Sequence, residues 1–299
     1  LFLPLNVLQN LFEACCCLVG GYFLAQAVLL YLLQRLPFSV EEGGKKYPAA
    51  VFLTVFCSIA LVDLLYLFFD AYPGILTTDS VTTMAQVMGD QPYNNTMPFW
   101  HTVTVQLFVR PALALFGDMN AAVACFHVAQ ILFMAACFAY VILTLYQADV
   151  PCWFLLGAYA VYAVQPHNIV YSVTLWKDIP FAGAAVLFIT ALYRLLKGVG
   201  RSRTLNYAVF ILGALGFSLW RTNGWYAFLV TVLIMFFLLG KRRKKLLLLM
   251  TAVLIIAWLL INPVLMLLGV AQTNLTEAFA VPMQQVARVV AEGRELTAQ

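Results

Sequence analysis

Residues 72–81, YPGILTTDSV, follow an apolar run that ends at Phe69. A proline, a glycine, two threonines and an acid interrupt the apolar sequence there, which is the pattern expected where a transmembrane segment leaves the bilayer. The acid, Asp79, is open to three interpretations: a helix cap, a loop charge or a reactive group. Its meaning depends on how the rest of the chain is organised around it.

The composition of the chain is that of an integral membrane protein. Of its 299 residues, 64% are hydrophobic and 10% are charged, whereas soluble domains carry about 25% charged residues. Several apolar runs approach or exceed the roughly 20 residues that span a bilayer. The net charge of +4 does not indicate a nucleic-acid partner, because the basic residues cluster between the apolar runs.

The apolar runs predict an all-α fold, a polytopic helical membrane protein with about eight crossings. We place them at 3–34, 49–70, 120–146, 150–166, 179–197, 205–220, 224–240 and 246–268. Residues 101–117 form the shortest competing stretch and contain Arg110-Pro111, so we expect a helix at the outer interface rather than a crossing. Residues 80–88 and 275–290 repeat apolar side chains every three or four positions and are also predicted to be interfacial helices.

Basic residues predict the orientation of the chain. The connections at 35–46, 194–203 and 241–245 hold 12 of the 17 Lys and Arg residues, and such clusters mark the cytoplasmic side of a membrane. We therefore expect a multi-pass protein of the plasma membrane. Its predicted outer segments are 71–119, 167–178, 221–223 and 269–299.

Three regions follow from this topology. Residues 1–48 hold the first span and a basic cytoplasmic loop, 49–268 the transmembrane core with the outer loop 71–119, and 269–299 an outer amphipathic segment. The chain begins with Leu and stops inside a helical pattern, so we expect a truncated sequence.

Two cations lie on the face that positive charge normally avoids. Lys177 and Arg221 fall at the outer ends of predicted spans, where either nearby acids or a bound phosphate would compensate them. Glu13 and Asp63 fall inside spans, where acids are functional candidates or are hydrogen-bonded to a neighbouring helix.

Two acids precede helices on the predicted outer side. Asp79 or Ser80 could cap the helix that follows them. Asp178 is expected near the positive end of a helix dipole, because Pro180 suits a first helical turn. The histidines are also ambiguous: His127 fits a packed residue inside a span, while His101 and His167 fit either structural roles at the interface or ligand contacts.

Several motifs occur in a characteristic order: PGILTTDS at 73–80, MPFWHTVTVQLFVRPALALFG at 97–117, TLWKDIPF at 174–181, RTNG at 221–224 and PMQQVAR at 282–288. This order resembles the GT-C class, the polyprenyl-phosphate-dependent membrane glycosyltransferases, and an uncharacterised bacterial branch of it in particular. The resemblance implies a GT-C-like helical bundle with interfacial outer helices.

The resemblance also implies roles for individual residues. Asp79 matches the acid that serves as a base or as a ligand of a divalent cation, here Mg²⁺ or Mn²⁺, and Asp178 matches a second acid of the site. Lys177 and Arg221 would face the substrate phosphate. Further pocket candidates are Ser80, His101, His167, Asn223, Gln284, Gln285 and Arg288.

The function expected from these features is sugar transfer at the extracytoplasmic face. The donor would be a polyprenyl-phosphate-linked sugar, and the acceptor an unknown glycan, lipid or protein. The alternative is a transporter or flippase for an anionic, phosphate-bearing lipid or glycan, which Glu13 and Asp63 favour. A non-catalytic scaffold is a third interpretation.

Overall fold

The computed structural model describes residues 48–200, 202–239, 243–271 and 280–292. The predicted crossing at 3–34, with Glu13, lies outside these ranges. Helices account for most of the described residues, which confirms the all-α prediction.

The helices fall into two groups along the chain, separated by a short strand. The first group, with strand β1, is α1 (Pro48–Phe69), β1 (Ile75–Leu76), α2 (Thr78–Met88), α3 (Phe99–Phe116), α4 (Met119–Gln147), α5 (Cys152–Val164) and α6 (Pro166–Ser172). The second group follows strand β2 (Thr174–Leu175) and comprises α7 (Asp178–Lys197), α8 (Arg203–Leu219), α9 (Gly224–Leu239), α10 (Lys244–Ile261), α11 (Pro263–Leu267) and α12 (Ala280–Ala291).

Four of these helical stretches are long and apolar enough to cross a membrane. They are α1, α4, α7 and the α10–α11 stretch, which runs over Lys244–Leu267. The helices α5, α8 and α9 are apolar but have only 13, 17 and 16 residues. By length and composition the structure thus supports four of the predicted crossings, while the other crossings stay predictions.

Prolines break two of the predicted crossings into separate helices. Gln165 is extended before Pro166, and the chain restarts as α6 at that proline. The α10 helix ends at Ile261, and Pro263 begins α11 after Asn262, whose backbone stays in the right-handed helical region. A proline ring clashes with helical backbone before it and lacks an N–H, so each helix begins anew at the proline.

The two largest hydrophobic cores hold most of the helices together. In the first, α1 packs on α4 and α5 through buried residues such as Ile59, Ile131 and Ala163. In the second, α7 packs on α8, α9 and α10 through residues such as Phe188, Phe210 and Met250. The helix α4 contacts both groups, because its Tyr140 belongs to the second core.

The helices α7 and α8 approach each other closely because α8 carries glycines at the contact. A Cβ atom on Gly213 would lie 2.6 Å from the backbone nitrogen of Phe188, and one on Gly216 would lie 2.9 Å from the Ala184 Cβ. Small residues let helix backbones come this close. Close packing matters in a bilayer because lipid tails are as apolar as the side chains, so no hydrophobic force drives the helices together.

The described parts of the predicted interfacial segments are helical, but the fully buried face of α2 is not the one that its apolar pattern suggests. Its buried side chains are Ser80, Thr83, Gln86 and Val87, whereas Val81 is 62% exposed. The reason is that a polar site lies beneath this helix. The helix α3 covers the predicted interfacial stretch and packs on α4 through Val105 and Val109.

We predict that Gly213→Ala lowers the melting temperature of the purified protein. Alanine normally favours a helix over glycine by up to about 1 kcal/mol, but here the added methyl group would force α7 and α8 apart. Gly157→Ala in α5 is the matched control, because a Cβ there meets nothing within 4 Å. Equal melting temperatures for the two variants would contradict the close-packing account.

Candidate functional site

A two-residue pairing of parallel strands brings the two predicted acids to equivalent positions. Ile75 pairs with Thr174 and Leu76 pairs with Leu175. Asp79 follows its strand by three residues, and Asp178 follows its own by three residues as well. Each acid lies in the first turn of the next helix, α2 or α7, so the structure sets two helix N-termini side by side.

Side chains of the bundle hold the strand pair in place. The Gln130 Nε2 of α4 donates hydrogen bonds to the Ser172 and Thr174 carbonyl oxygens, both at 2.9 Å. Asp63 of α1 is buried near the Ser172 side chain. The Gln130 amide satisfies backbone carbonyls that would otherwise be unpaired in an apolar interior.

The turn that precedes β1 lies directly on α4. Gly74 has a φ of +128°, and a Cβ there would lie 2.2 Å from the His127 ring. His127 Nδ1 is 3.0 Å from the Val123 carbonyl oxygen of its own helix. His127 is therefore a packed residue, as expected, and only glycine fits where the loop crosses it.

Thr77, rather than Asp79 or Ser80, is the N-cap of α2, so the expectation that one of those two residues caps the helix is wrong. Ser80 supports the cap from the first turn, because its Oγ accepts a 2.7 Å hydrogen bond from the Thr77 backbone N–H. The same hydroxyl donates to the Leu175 carbonyl oxygen at 2.5 Å. Ser80 thus fastens α2 to β2 and is itself buried.

Four charged side chains meet at the two helix N-termini. Lys177 Nζ lies 2.9 Å from Asp79 Oδ2, and Arg221 Nη1 lies 2.7 Å from Asp178 Oδ1. Because Lys177 and Asp178 are consecutive, the four residues form one group of alternating sign, which we call the charge cluster. The sequence left open whether these cations pair with acids, and the structure shows that both do.

The charge cluster is partly open to solvent. The side chains of Asp79 and Arg221 are 43% and 42% exposed, while Lys177 and Asp178 are more covered, at 20% and 27%. Asp178 Oδ1 accepts no hydrogen bond from the described residues despite its short distance to Arg221. The contact between Arg221 and Asp178 is therefore an ion pair. The Arg221 guanidinium also lies 5.6 Å over the Phe181 ring.

A buried polar group lies behind Lys177. His101 is 1% exposed, and neither of its ring nitrogens finds a hydrogen-bond partner among the described residues. The Gln86 Nε2 is equally buried and unpartnered there, while its Oε1 accepts a 3.4 Å hydrogen bond from Thr102. Burial and, to a lesser degree, the charge of Lys177 lower the pKa of His101 to about 3, so its imidazole is neutral near pH 7.

The remaining candidates are spread over the surface. His167 is exposed and lies 4.2 Å from the Tyr171 ring, which in turn stacks at 5.9 Å on Trp176, the neighbour of Lys177. Asn223 is exposed in the turn that follows Arg221.

The structure does not bring the candidates of α12 into the charge cluster. Gln284 and Gln285 are exposed, and Arg288 pairs with Glu292 of its own helix at 3.1 Å.

Several residues around the charge cluster were not predicted from the sequence. Gln86, Gln130, Thr77 and Met97 are uncharged, and Met97 Sδ lies 3.7 Å from Lys177 Nζ. A signal existed for the two glutamines, since each is a polar residue in an apolar helical stretch. No signal in the sequence identified Met97.

The charge cluster offers two carboxylates to a metal. No group of three or more His, Cys, Asp or Glu side chains in the described ranges is arranged to hold an ion. Mg²⁺ is often bound by one or two carboxylates, with substrate phosphate and water completing the shell. Asp79 and Asp178 fit that limited role.

The described residues form a mostly helical fold with four helical stretches that could cross a membrane and with a charge cluster at one end of α7. Residues 90–297, more than half of the chain, match a family described as "Family of unknown function (DUF6020)". The chain belongs to this family. Lys177, Asp178 and Arg221 lie inside the matched range, and Asp79 lies before it. No curated protein and no solved structure matches the chain.

We predict that the buried His101 makes stability depend on pH. Its pKa of about 3 in the folded state compares with about 6.5 when exposed, so the unfolded chain takes up the proton first. The histidine's contribution is present above pH 6.5 and is lost as the pH falls towards 3, by up to about 1.4 kcal/mol per pH unit. Melting temperatures at pH 7 and pH 5 measure this loss.

His101→Gln should show a smaller fall in melting temperature between these two pH values than the unaltered protein. His167→Gln is the control and should keep the full difference, because its ring is already exposed. If both variants keep the full difference, His101 does not titrate on unfolding.

Proposed function

We propose that this protein is a membrane glycosyltransferase that moves a sugar from a polyprenyl-phosphate donor to an acceptor hydroxyl. The observation that carries the proposal is the charge cluster, in which two acids that are 99 residues apart stand at adjacent helix N-termini beside Lys177 and Arg221. The order of motifs that resembles the GT-C class adds support, since the same four residues fall at its characteristic positions.

Asp79 is suited to act as the general base. Its carboxylate is the more exposed of the two, so an acceptor hydroxyl can reach it. In the proposed step the acceptor oxygen attacks the anomeric carbon of the sugar, and its proton passes to Asp79. The bond between that carbon and the phosphate oxygen breaks, and its electron pair leaves with the polyprenyl phosphate.

Lys177 and Arg221 are suited to stabilise the departing phosphate. The leaving group gains one negative charge as the bond breaks, and nearby cations lower the energy of that state. Their ion pairs with Asp79 and Asp178 are no barrier to this role, because partly exposed pairs contribute only about 0–1 kcal/mol.

A divalent cation is part of the proposal as an optional component. Asp79 and Asp178 would hold Mg²⁺ or Mn²⁺, which supplies charge stabilisation to the phosphate when bound. The partners proposed besides the bilayer are the lipid-linked sugar donor and a glycan, lipid or protein acceptor.

The proposed location is the plasma membrane, with the charge cluster on the extracytoplasmic side. The helix α7 begins at the cluster and ends with Arg194 and Lys197 in its last turn. That polarity agrees with a cytoplasmic position for the basic ends of the helices. A polyprenyl tail could then remain in lipid while its phosphate reaches the cluster at the head-group level.

We predict that Asp79→Asn reduces sugar transfer by about 10²–10⁴-fold, the usual contribution of a general base. The measurement is loss of labelled sugar from a polyprenyl-phosphate donor in the presence of purified protein. Asp90→Asn, an exposed acid in the loop after α2, should retain full activity. Equal transfer by both variants, at equal melting temperature, would refute the assignment of Asp79.

A transporter or flippase for an anionic lipid or glycan is the second candidate function. The specific observation in its favour is Asp63, an acid that is 3% exposed within a helix long enough to cross a membrane. Acids in such positions often lie on ion or substrate pathways. This function would move the labelled lipid across a vesicle bilayer and leave its glycosidic bond intact, so the same donor distinguishes the two.

A further inference from the structure

A second charged feature lies at the opposite end of the bundle. A cavity of about 320 Å³ is lined by four cations, Arg203, Arg243, Lys244 and Lys245, together with Tyr207 and Leu246. No acidic side chain is among its described lining residues. The cavity differs in this respect from the charge cluster, where each cation has a carboxylate beside it.

The cavity is far from the charge cluster. Leu195 lines it, and Leu195 follows Asp178 by 17 residues along α7. With a rise of 1.5 Å per residue, this distance is about 26 Å, close to the thickness of a bilayer's hydrocarbon core. A ligand in the cavity therefore could not touch Asp79 or Arg221, and the two sites are separate.

Three of these cations lie at helix N-termini, where the helix dipole does not offset their positive charge. Arg203 is the first residue of α8, and Lys244 and Lys245 begin α10. A helix N-terminus already carries partial positive charge, so cations there add to the helix dipole instead of offsetting it. None of these three cations forms an ion pair with a carboxylate among the described residues, so an external anion would not have to displace a described acid.

Arg243 has a different role from the other three cations. Its Nη1 and Nη2 donate hydrogen bonds to the Leu195 and Leu196 carbonyl oxygens at 3.3 Å and 3.0 Å. These carbonyls lie at the C-terminal end of α7, which is the negative end of its dipole. Arg243 thus ties the start of α10 to the end of α7 and fixes one wall of the cavity.

We propose that this cavity binds the phosphate of an anionic phospholipid head group. Arg203 and the two lysines supply charge-assisted hydrogen bonds to phosphate oxygens, and the Tyr207 hydroxyl can add a neutral one. The volume accommodates a head group but not acyl chains, and apolar surface continues beside it, where Leu205 and Leu248 are exposed. Basic pockets at the ends of transmembrane helices suit such lipids.

The test uses the full chain purified in a neutral detergent. Its melting temperature is measured with added phosphatidylglycerol, with zwitterionic phosphatidylcholine, and with inorganic phosphate. We expect phosphatidylglycerol to raise the melting temperature, with an effect that weakens as salt is added, and phosphatidylcholine to leave it unchanged. A rise with inorganic phosphate but none with phosphatidylglycerol would overturn the lipid assignment in favour of a soluble anion.

The variant Arg203→Gln/Lys244→Gln/Lys245→Gln locates the site. We expect it to bind phosphatidylglycerol at least tenfold more weakly than the unaltered protein. The single variants Lys245→Gln and Arg288→Gln form a matched pair that each remove one exposed cation, and only the first should weaken binding. If the triple variant does not fold, phosphatidylglycerol binding by these two single variants tests the proposal. Unchanged binding by Lys245→Gln and by a folded triple variant would overturn the proposal.

Discussion

The pairing of Ile75–Leu76 with Thr174–Leu175 is the interaction on which the candidate site depends. Two residues on each side pair segments that are 99 residues apart. A shift of one residue would move Asp79 by about 3.3 Å relative to Lys177 and would turn its neighbours to the other face. Such a shift would break the 2.9 Å ion pair. The geometry of both carboxylates therefore depends on a very short piece of sheet.

So short a ladder could not fix its own register, and buried polar contacts do so instead. Gln130 holds two carbonyl groups on the β2 side, and Ser80 bonds the Leu175 carbonyl from α2. The ring of His127 leaves room only for glycine at position 74. A slipped register would leave these groups unpaired in an apolar interior, at roughly 1–3 kcal/mol for each. The penalty for losing these hydrogen bonds helps to specify the arrangement.

The sequence predicted the helices well because apolar periodicity and length report directly on burial. It also identified Asp79, Lys177, Asp178 and Arg221, since charges at the ends of apolar runs are conspicuous. It could not predict their partners, because each cation could have paired with either acid or with neither. Which acid each cation pairs with depends on the register of the strand pair. Strands of two residues are too short to be predicted from a sequence. The apolar pattern of α2 did not predict which of its faces is buried. Apolar periodicity predicts the buried face only where the interior is apolar.

The two ends of the bundle differ in charge: one holds acids paired with cations, and the other holds a cavity lined by cations. This difference determines how each would bind an anionic ligand. The charge cluster holds two acids and two cations, so it exerts little net attraction on a distant anion. A phosphate would enter it only by exchanging partners with Asp79 or Asp178, which would couple its arrival to the release of a carboxylate. That coupling suits a reaction, because the freed Asp79 would become a base only when the phosphate is in place. The four cations at the other end have no carboxylate to exchange among the described residues, so binding there releases no described acid and suits a resident lipid.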